Sequence, residues 1–336
     1  MTIDRLHRLE EWIKATFPGK PFNLSPASAD ASFRRYFRIT MANDTMIAMD
    51  APPELEDCSP FLHVAKVFAT AAVNVPTILS QNLAEGFLLL SDLGSTTYLC
   101  TLMANPASAD ELYTDAIDAL IKIQLISQEH VFPTYDEPLL RRELNLFPEW
   151  YIARHLQVTL DQKQQNNLET IFARILRNNL AQPRVYVHRD YHSRNLMLTT
   201  PNPGIIDFQD AVYGPITYDL VSLFKDAYIH WEEDRVLDWV IRYWEKARKV
   251  GLPVAIDFSD FYRDFEWMGV QRHLKVLGIF ARLYHRDHKD AYLKDMPLVM
   301  TYLRRACERY QELHLLLALL DQLENIRPDT RIGYTF

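Results

Sequence analysis

The chain has 336 residues, 48% hydrophobic and 24% charged, with a formal net charge of −8. That length supports a sizeable core in one large domain or two lobes, and the composition is ordinary for a globular enzyme. The acidic balance argues against a nucleic-acid partner, which needs a basic face, and three scattered cysteines, Cys58, Cys100 and Cys307, form neither a metal spacing nor a disulfide framework, so a reducing compartment is expected.

Leu6, Leu9, Trp12 and Ile13 recur at helical spacing and predict an opening amphipathic helix. Its charged face and lack of an apolar stretch exclude a secretory signal. The longest clean apolar run, Leu315 to Leu320, is too short to cross a bilayer. A cytoplasmic protein with no membrane partner is therefore expected. Residues 32–40 and Thr45 to Met49 read as strands joined at Asn43-Asp44, and Pro52-Pro53 ends the pair. A helix over 59–72 follows, then strands at Ile78-Leu79 and Phe87 to Leu90. After Asp92-Leu93-Gly94 long helices dominate. Ser108 and Glu111 have capping-box spacing, and helices are expected over 140–156, over 161–180, and over most of the chain after Asp219, including a long stretch from Leu298 to Asn325. The fold class expected is α+β, with an N-terminal unit over 1–92 and a mostly helical unit over 93–336.

Arg184 to Leu220 carries the chemistry. Val185-Tyr186-Val187 reads as a strand leading into His188-Arg189-Asp190-Tyr191-His192-Ser193-Arg194-Asn195. Two apolar runs, Leu196-Met197-Leu198 and Ile205-Ile206, flank a Pro- and Asn-containing turn and predict an antiparallel hairpin. Pairing about the turn centre puts Asn195 opposite Asp207 or Phe208. Residues directly opposite have Cβ atoms about 5 Å apart. An amide and a carboxylate so placed suit magnesium, which takes one or two protein ligands and fills its shell with water and phosphate oxygens. Asp190, on the preceding loop, is placed to accept a proton from an attacking hydroxyl. Phosphoryl transfer asks for that division of labour: one group orients the nucleophile while others hold the metal and the charge.

His188-x-Asp190-x-x-x-x-Asn195, Ile206-Asp207-Phe208 and Pro215-x-x-Tyr218-Asp219-Leu220 together resemble the aminoglycoside phosphotransferase family, which shares its catalytic loop with choline kinases and protein kinases. The resemblance implies a bilobal protein-kinase-like fold, ATP and Mg2+ as cofactors, Asp190 as catalytic base, and Asn195 and Asp207 as metal ligands. It also implies that His188, Asp210 and Asp219 brace the site and that Leu90 and Asp92 form an adenine-binding hinge. Further stretches, Asp30 to Arg38, Met49 to Pro53, Phe147 to Tyr151 and Gly269 to Gly278, are similar to the anomeric N-acetylmuramate/N-acetylglucosamine kinases of bacterial cell-wall recycling. A sugar and ATP are then the expected partners, of a monomeric chain. Trp150, Arg194 and Arg272 are the candidate sugar contacts.

Two features depart from the family. No lysine lies within Thr45 to Pro53, where one normally contacts the ATP phosphates, and Ala29-Asp30-Ala31-Ser32 replaces the usual glycines. Ser32 is an expected nucleotide contact in that loop, and Arg34 or Arg35 is expected to supply the positive charge, because guanidinium forks pair well with phosphate; Lys66 is a further candidate. Two other readings remain open. The acceptor could be another hydroxyl, on an aminoglycoside or an amino alcohol, or the chain could be a nucleotide-binding pseudokinase scaffold.

Overall fold

The computed structural model describes residues 2–28, 33–42 and 44–326. In chain order these form α1 (Thr2–Thr16), β1 (Asn23–Ser28), β2 (Arg35–Thr40), β3 (Thr45–Asp50), α2 (Ser59–Thr70), β4 (Ile78–Asn82), β5 (Phe87–Ser91), α3 (Tyr98–Ala104), α4 (Ala109–Leu125) and α5 (Glu137–Leu146). A π-helical segment, Phe147–His155, leads to α6 (Gln162–Ala181), β6 (Arg184–Val187), β7 (Leu196–Met197), β8 (Gly204–Ile205) and β9 (Val212–Pro215). The remainder is α7 (Tyr218–Phe224), α8 (Glu233–Lys249), α9 (Phe258–Asp287), α10 (Met296–Arg309) and α11 (His314–Ile326). By compactness the chain divides into Met1–Ile123 with Arg194–Asp210, and Gln124–Ser193 with Ala211–Phe336.

The first unit is built on an antiparallel sheet of order β1-β2-β3-β5-β4. The turn between β2 and β3 is closed by a hydrogen bond from Met41 N to Asp44 O, 2.9 Å; Asn43 lies outside the described residues. Alternation along the strands sends Phe37, Ile39, Met46, Ala48, Phe87 and Leu89 to one face, where Leu9 and Ile13 of α1 complete an apolar core. Asp50 ends that face with no solvent exposure. Arg35, directly across from it in the register, donates to its Oδ2 through Nε at 3.0 Å. Arg5 of α1 donates to its Oδ1 at 3.1 Å and to the Glu85 carbonyl at 2.7 Å. The ion pairs thus pin α1 to the sheet. Strand β1 escapes sequence reading because it carries Pro26 and three polar side chains. It is an edge strand with an irregularity at Pro26/Ser28, the setting in which a sheet tolerates proline.

The β7–β8 hairpin also belongs to the first unit. Its turn is tied by Asn202 Nδ2, which donates to Tyr98 Oη (2.8 Å) and Asp115 Oδ2 (2.7 Å). Asn74 accepts from Ile205 N through its carbonyl (2.8 Å) and donates through Nδ2 to Pro201 O (3.0 Å).

In the second unit α9, 30 residues long, is buried around most of its circumference, as expected of a central rather than a surface helix. A Cβ on Gly278 would stand 2.4 Å from the backbone carbon of Leu146, so only glycine lets α9 approach the end of α5 this closely. The expected helix over 140–156 changes to π-helical turns at Phe147. Pro148 has no N–H to continue the α ladder, and the wider turn accommodates it. The expected helix from Leu298 to Asn325 is broken at Tyr310, which is extended (φ −110°, ψ 114°) and packs edge-on to Trp267 with the Arg263 guanidinium over its ring. Tertiary packing overrides the helical pattern there.

Candidate active site

The hairpin register pairs Leu196 with Ile205 and Met197 with Gly204. Asn195 therefore lies across from Ile206, whose N–H donates to the Asn195 carbonyl at 3.1 Å, and not across from Asp207 or Phe208. Asp207 still meets it, because Asp207 takes φ +65° and leaves the strand geometry, a backbone conformation uncommon outside glycine. Asn195 Nδ2 donates to Asp207 Oδ2 at 3.1 Å, and Gln209 Nε2 donates to Asp207 Oδ1 at 2.8 Å. An amide oxygen and a carboxylate, both hard donors, suit magnesium. Among the described residues no group of three His, Cys, Asp or Glu side chains forms a self-contained metal cage. The pair fits a cation that takes few protein ligands and keeps places for water and phosphate. Phe208 is fully buried against Phe61 and Phe68 of α2, with ring centroids at 4.9 and 5.9 Å, which anchors the residue after Asp207.

In the second unit the loop after β6 is held from its backbone. Asp219, at the start of α7 and fully buried, accepts from the N–H of His188 (2.6 Å) and of Arg189 (3.0 Å). Burial pushes the Asp219 carboxyl up to about 7, against those two bonds and the Arg272 charge, which lower it. His188 is 1% exposed; its Nδ1 accepts from Asp190 N at 3.2 Å. Arg189 has φ +78°, the second site residue with a backbone that L side chains rarely adopt. The Ser193 N–H donates to Asp226 Oδ2 at 3.0 Å and ties down the far end of the loop.

Behind the loop lies a network of buried charge. Glu143 of α5 accepts from Arg189 Nη2 (2.6 Å), Lys275 Nζ (3.0 Å), Gln271 Nε2 (3.0 Å) and the Tyr135 hydroxyl. Burial alone would raise the Glu143 carboxyl, but Lys275 and Arg189 overcome this and bring it down to about 2. Arg272 Nη2 lies 3.6 Å from Asp190 Oδ1. For Asp190, burial likewise raises the carboxyl, and the charges of Lys275, Arg272, His192 and Arg189 hold it well below the usual carboxylate range. Asp190 keeps 41% of its side chain exposed, so an ionised carboxylate is presented to solvent.

The other expected residues are placed as follows. Ser32 lies outside the described residues. Arg34 Nη2 pairs with Glu56 Oε2 at 2.9 Å, and Arg35 with Asp50. Leu90 is buried in β5. Asp92 is clamped by Arg38, with Nε to Oδ2 at 2.6 Å and Nη2 to Oδ1 at 3.0 Å. Trp150 and Arg194 are half-buried and Asp210 is exposed. Arg272 is brought to Asp190. Glu143, Lys275 and Gln209 were missed by the sequence reading. Lys275 stands three residues from Arg272, on the same helical face, and Gln209 directly follows Phe208, so both had a positional signal; Glu143 had none.

The pattern of the phosphotransferase enzyme family matches residues 23–254. The chain is 49% identical over 337 residues to the N-acetylmuramate/N-acetylglucosamine kinase of Neisseria meningitidis serogroup B, covering 99% of this chain and 100% of that one. It is 50% identical over 329 residues to the protein of the same name from Pseudomonas aeruginosa, covering 95% and 97%. Among solved structures, a choline/ethanolamine kinase family protein from Mesorhizobium loti superposes with a TM-score of 0.62 at 14% identity, over 94% of this chain and 99% of that one. At that identity the likeness shows the fold, which is protein-kinase-like, with an N-terminal antiparallel sheet and a mostly helical C-terminal part.

Proposed function

Because the chain belongs to the phosphotransferase enzyme family, we propose that it is an ATP-dependent kinase of N-acetylmuramate and N-acetylglucosamine that phosphorylates the anomeric hydroxyl. The observation that carries the choice of sugar is identity of about one half, over nearly the whole length, to relatives that bear that name. The functional division is a nucleotide-binding part over 1–92 and a catalytic and substrate part over 93–336.

Asp190 accepts the hydrogen bond of the C1 hydroxyl and orients its oxygen for attack on the γ-phosphorus. The lowered pKa of Asp190 makes this carboxylate a weak base. That suits a transition state in which bonding to the nucleophile is slight and the proton leaves late. An anomeric hydroxyl is also more acidic than an ordinary alcohol, which lightens the demand on the base. His188 and Asp219 hold the loop so that the carboxylate needs no reorganisation during the reaction. The Asn195 amide oxygen and the Asp207 carboxylate would hold magnesium, which would neutralise phosphate charge. Gln209 fixes the Asp207 carboxylate from outside that pair. Of the candidate cations at the nucleotide, Arg34 and Arg35 are each already paired with a carboxylate, and Lys66 of α2 is exposed.

The test is a panel of acceptors assayed for ADP release, with phosphorus NMR of the product. The two N-acetylated sugars should yield an anomeric phosphate. Turnover confined to an aminoglycoside or an amino alcohol would overturn the choice of sugar. ATP binding without turnover of any acceptor would overturn the kinase reading in favour of a scaffold.

A further inference from the structure

Arg272 lies in the middle of α9, with only 8% of its side chain exposed. A guanidinium so covered needs protein acceptors, and their identity is informative. Nη1 donates to the Arg189 carbonyl at 2.8 Å and to the Tyr218 hydroxyl at 3.2 Å. Nη2 faces Asp190 Oδ1 at 3.6 Å. The guanidinium also stands over the Tyr218 ring, 5.3 Å from its centroid. One rigid fork thus engages the carbonyl immediately before Asp190 and the Asp190 carboxylate itself, so it fixes the peptide and the side chain of the same residue. Lys275, almost one turn along α9, blocks any swing away: its Nζ donates to the same Tyr218 hydroxyl at 2.9 Å and pairs with Glu143 at 3.0 Å.

We propose that Arg272 is a positioning residue that acts through Asp190: it sets the orientation in which the carboxylate meets the acceptor hydroxyl and does not itself touch the sugar. The inference rests on the reading of Asp190 as the base and replaces the expectation that Arg272 is a substrate contact. Burial decides between the two. A sugar-binding arginine offers donors to the cleft, whereas these donors are directed at loop and tyrosine oxygens. Asp190, by contrast, remains accessible. Removing the fork frees both the Arg189–Asp190 peptide and the carboxylate rotamer, and a small displacement of a catalytic group is costly in rate while leaving ground-state binding intact.

The test is a double-mutant cycle between Asp190→Asn and Arg272→Met, read by steady-state kinetics with ATP and N-acetylglucosamine. Arg272→Met should lower kcat by about 10²-fold while the KM of each substrate stays within about twofold. Arg272→Lys should recover part of the loss. The double variant should be no slower than Asp190→Asn alone, because the arginine has nothing left to act through. A rise in sugar KM of about tenfold or more with kcat retained would make Arg272 a substrate contact and overturn the proposal; so would effects that multiply in the double variant. If circular dichroism shows Arg272→Met to be unfolded, Tyr218→Phe enters the same cycle. It removes the oxygen shared by Arg272 and Lys275 but keeps every charge, and non-additivity with Asp190→Asn is again the supporting result, multiplication the overturning one. An Asp190→Asn enzyme with undiminished kcat would remove the assignment of the base as well, whereas multiplicative effects would remove this inference alone.

Discussion

At the scale of single residues, the proposed chemistry is divided between Asp190, a carboxylate that is ionised and exposed, and Asp207, a carboxylate held between two amides. Asp190→Asn keeps the shape and removes the charge. It should cost about 10²–10⁴-fold in kcat while calorimetry shows ATP binding retained. Gln209 is the residue whose importance the motif did not announce. Its hydrogen bond orients Asp207, and Gln209→Ala should raise the magnesium concentration needed for half-maximal rate by about 10–100-fold; an unchanged magnesium titration would separate Gln209 from the metal. The spacing of His188, Asp190, Asn195 and Asp207 singles these residues out in the sequence, because each residue type states its chemistry. The brace behind it was not legible. Glu143 is one acid among many on helical surfaces, and only folding reveals that Arg189, Lys275, Gln271 and Tyr135 converge on it. The hairpin register differs by one or two residues from a count about the turn centre, and the positive φ of Asp207 restores its meeting with Asn195.

Elements show the same split between local signal and tertiary override. Helix α1, strands β2 and β3, helix α2 and the β7–β8 hairpin follow from periodicity and turn residues. Strand β1, helix α3 and the break at Tyr310 do not, since edge pairing, short length and long-range packing decide them. Two contacts between elements carry more than their size suggests. Arg5→Ala would leave one side of the buried Asp50 carboxylate uncompensated. Breaking a buried pair costs about 3–5 kcal/mol, which denaturant unfolding would register, together with exposure of the sheet face under α1. Gly278→Ala would force α9 away from Leu146. Overpacking of this kind costs about 1–3 kcal/mol, and the melting temperature should fall even though the substituted residue touches no substrate.

For the whole molecule, acid stability depends on keeping Glu143 ionised within its cluster of cations. The Glu143 carboxyl, at about 2 in the folded state against an ordinary 4.5, contributes stability that is fully present above pH 4.5 and is lost as the pH falls towards 2. Denaturant midpoints measured from pH 7 to pH 3 should therefore drop on the acid side. Glu143→Gln should flatten that drop and lower the midpoint at pH 7, where Lys275 and Arg189 would face each other without an anion. The reversed charge on β3 has a practical outcome for selective inhibition. Many reagents that capture nucleotide-binding proteins rely on an electrophile meeting the amine of a strand lysine. Here Thr45–Asp50 offers no amine, and its one ionisable side chain is sealed beneath Arg5 and Arg35. Acylating nucleotide mimics should leave this strand unlabelled at concentrations that modify ordinary kinases, and peptide mapping after labelling would read that difference directly.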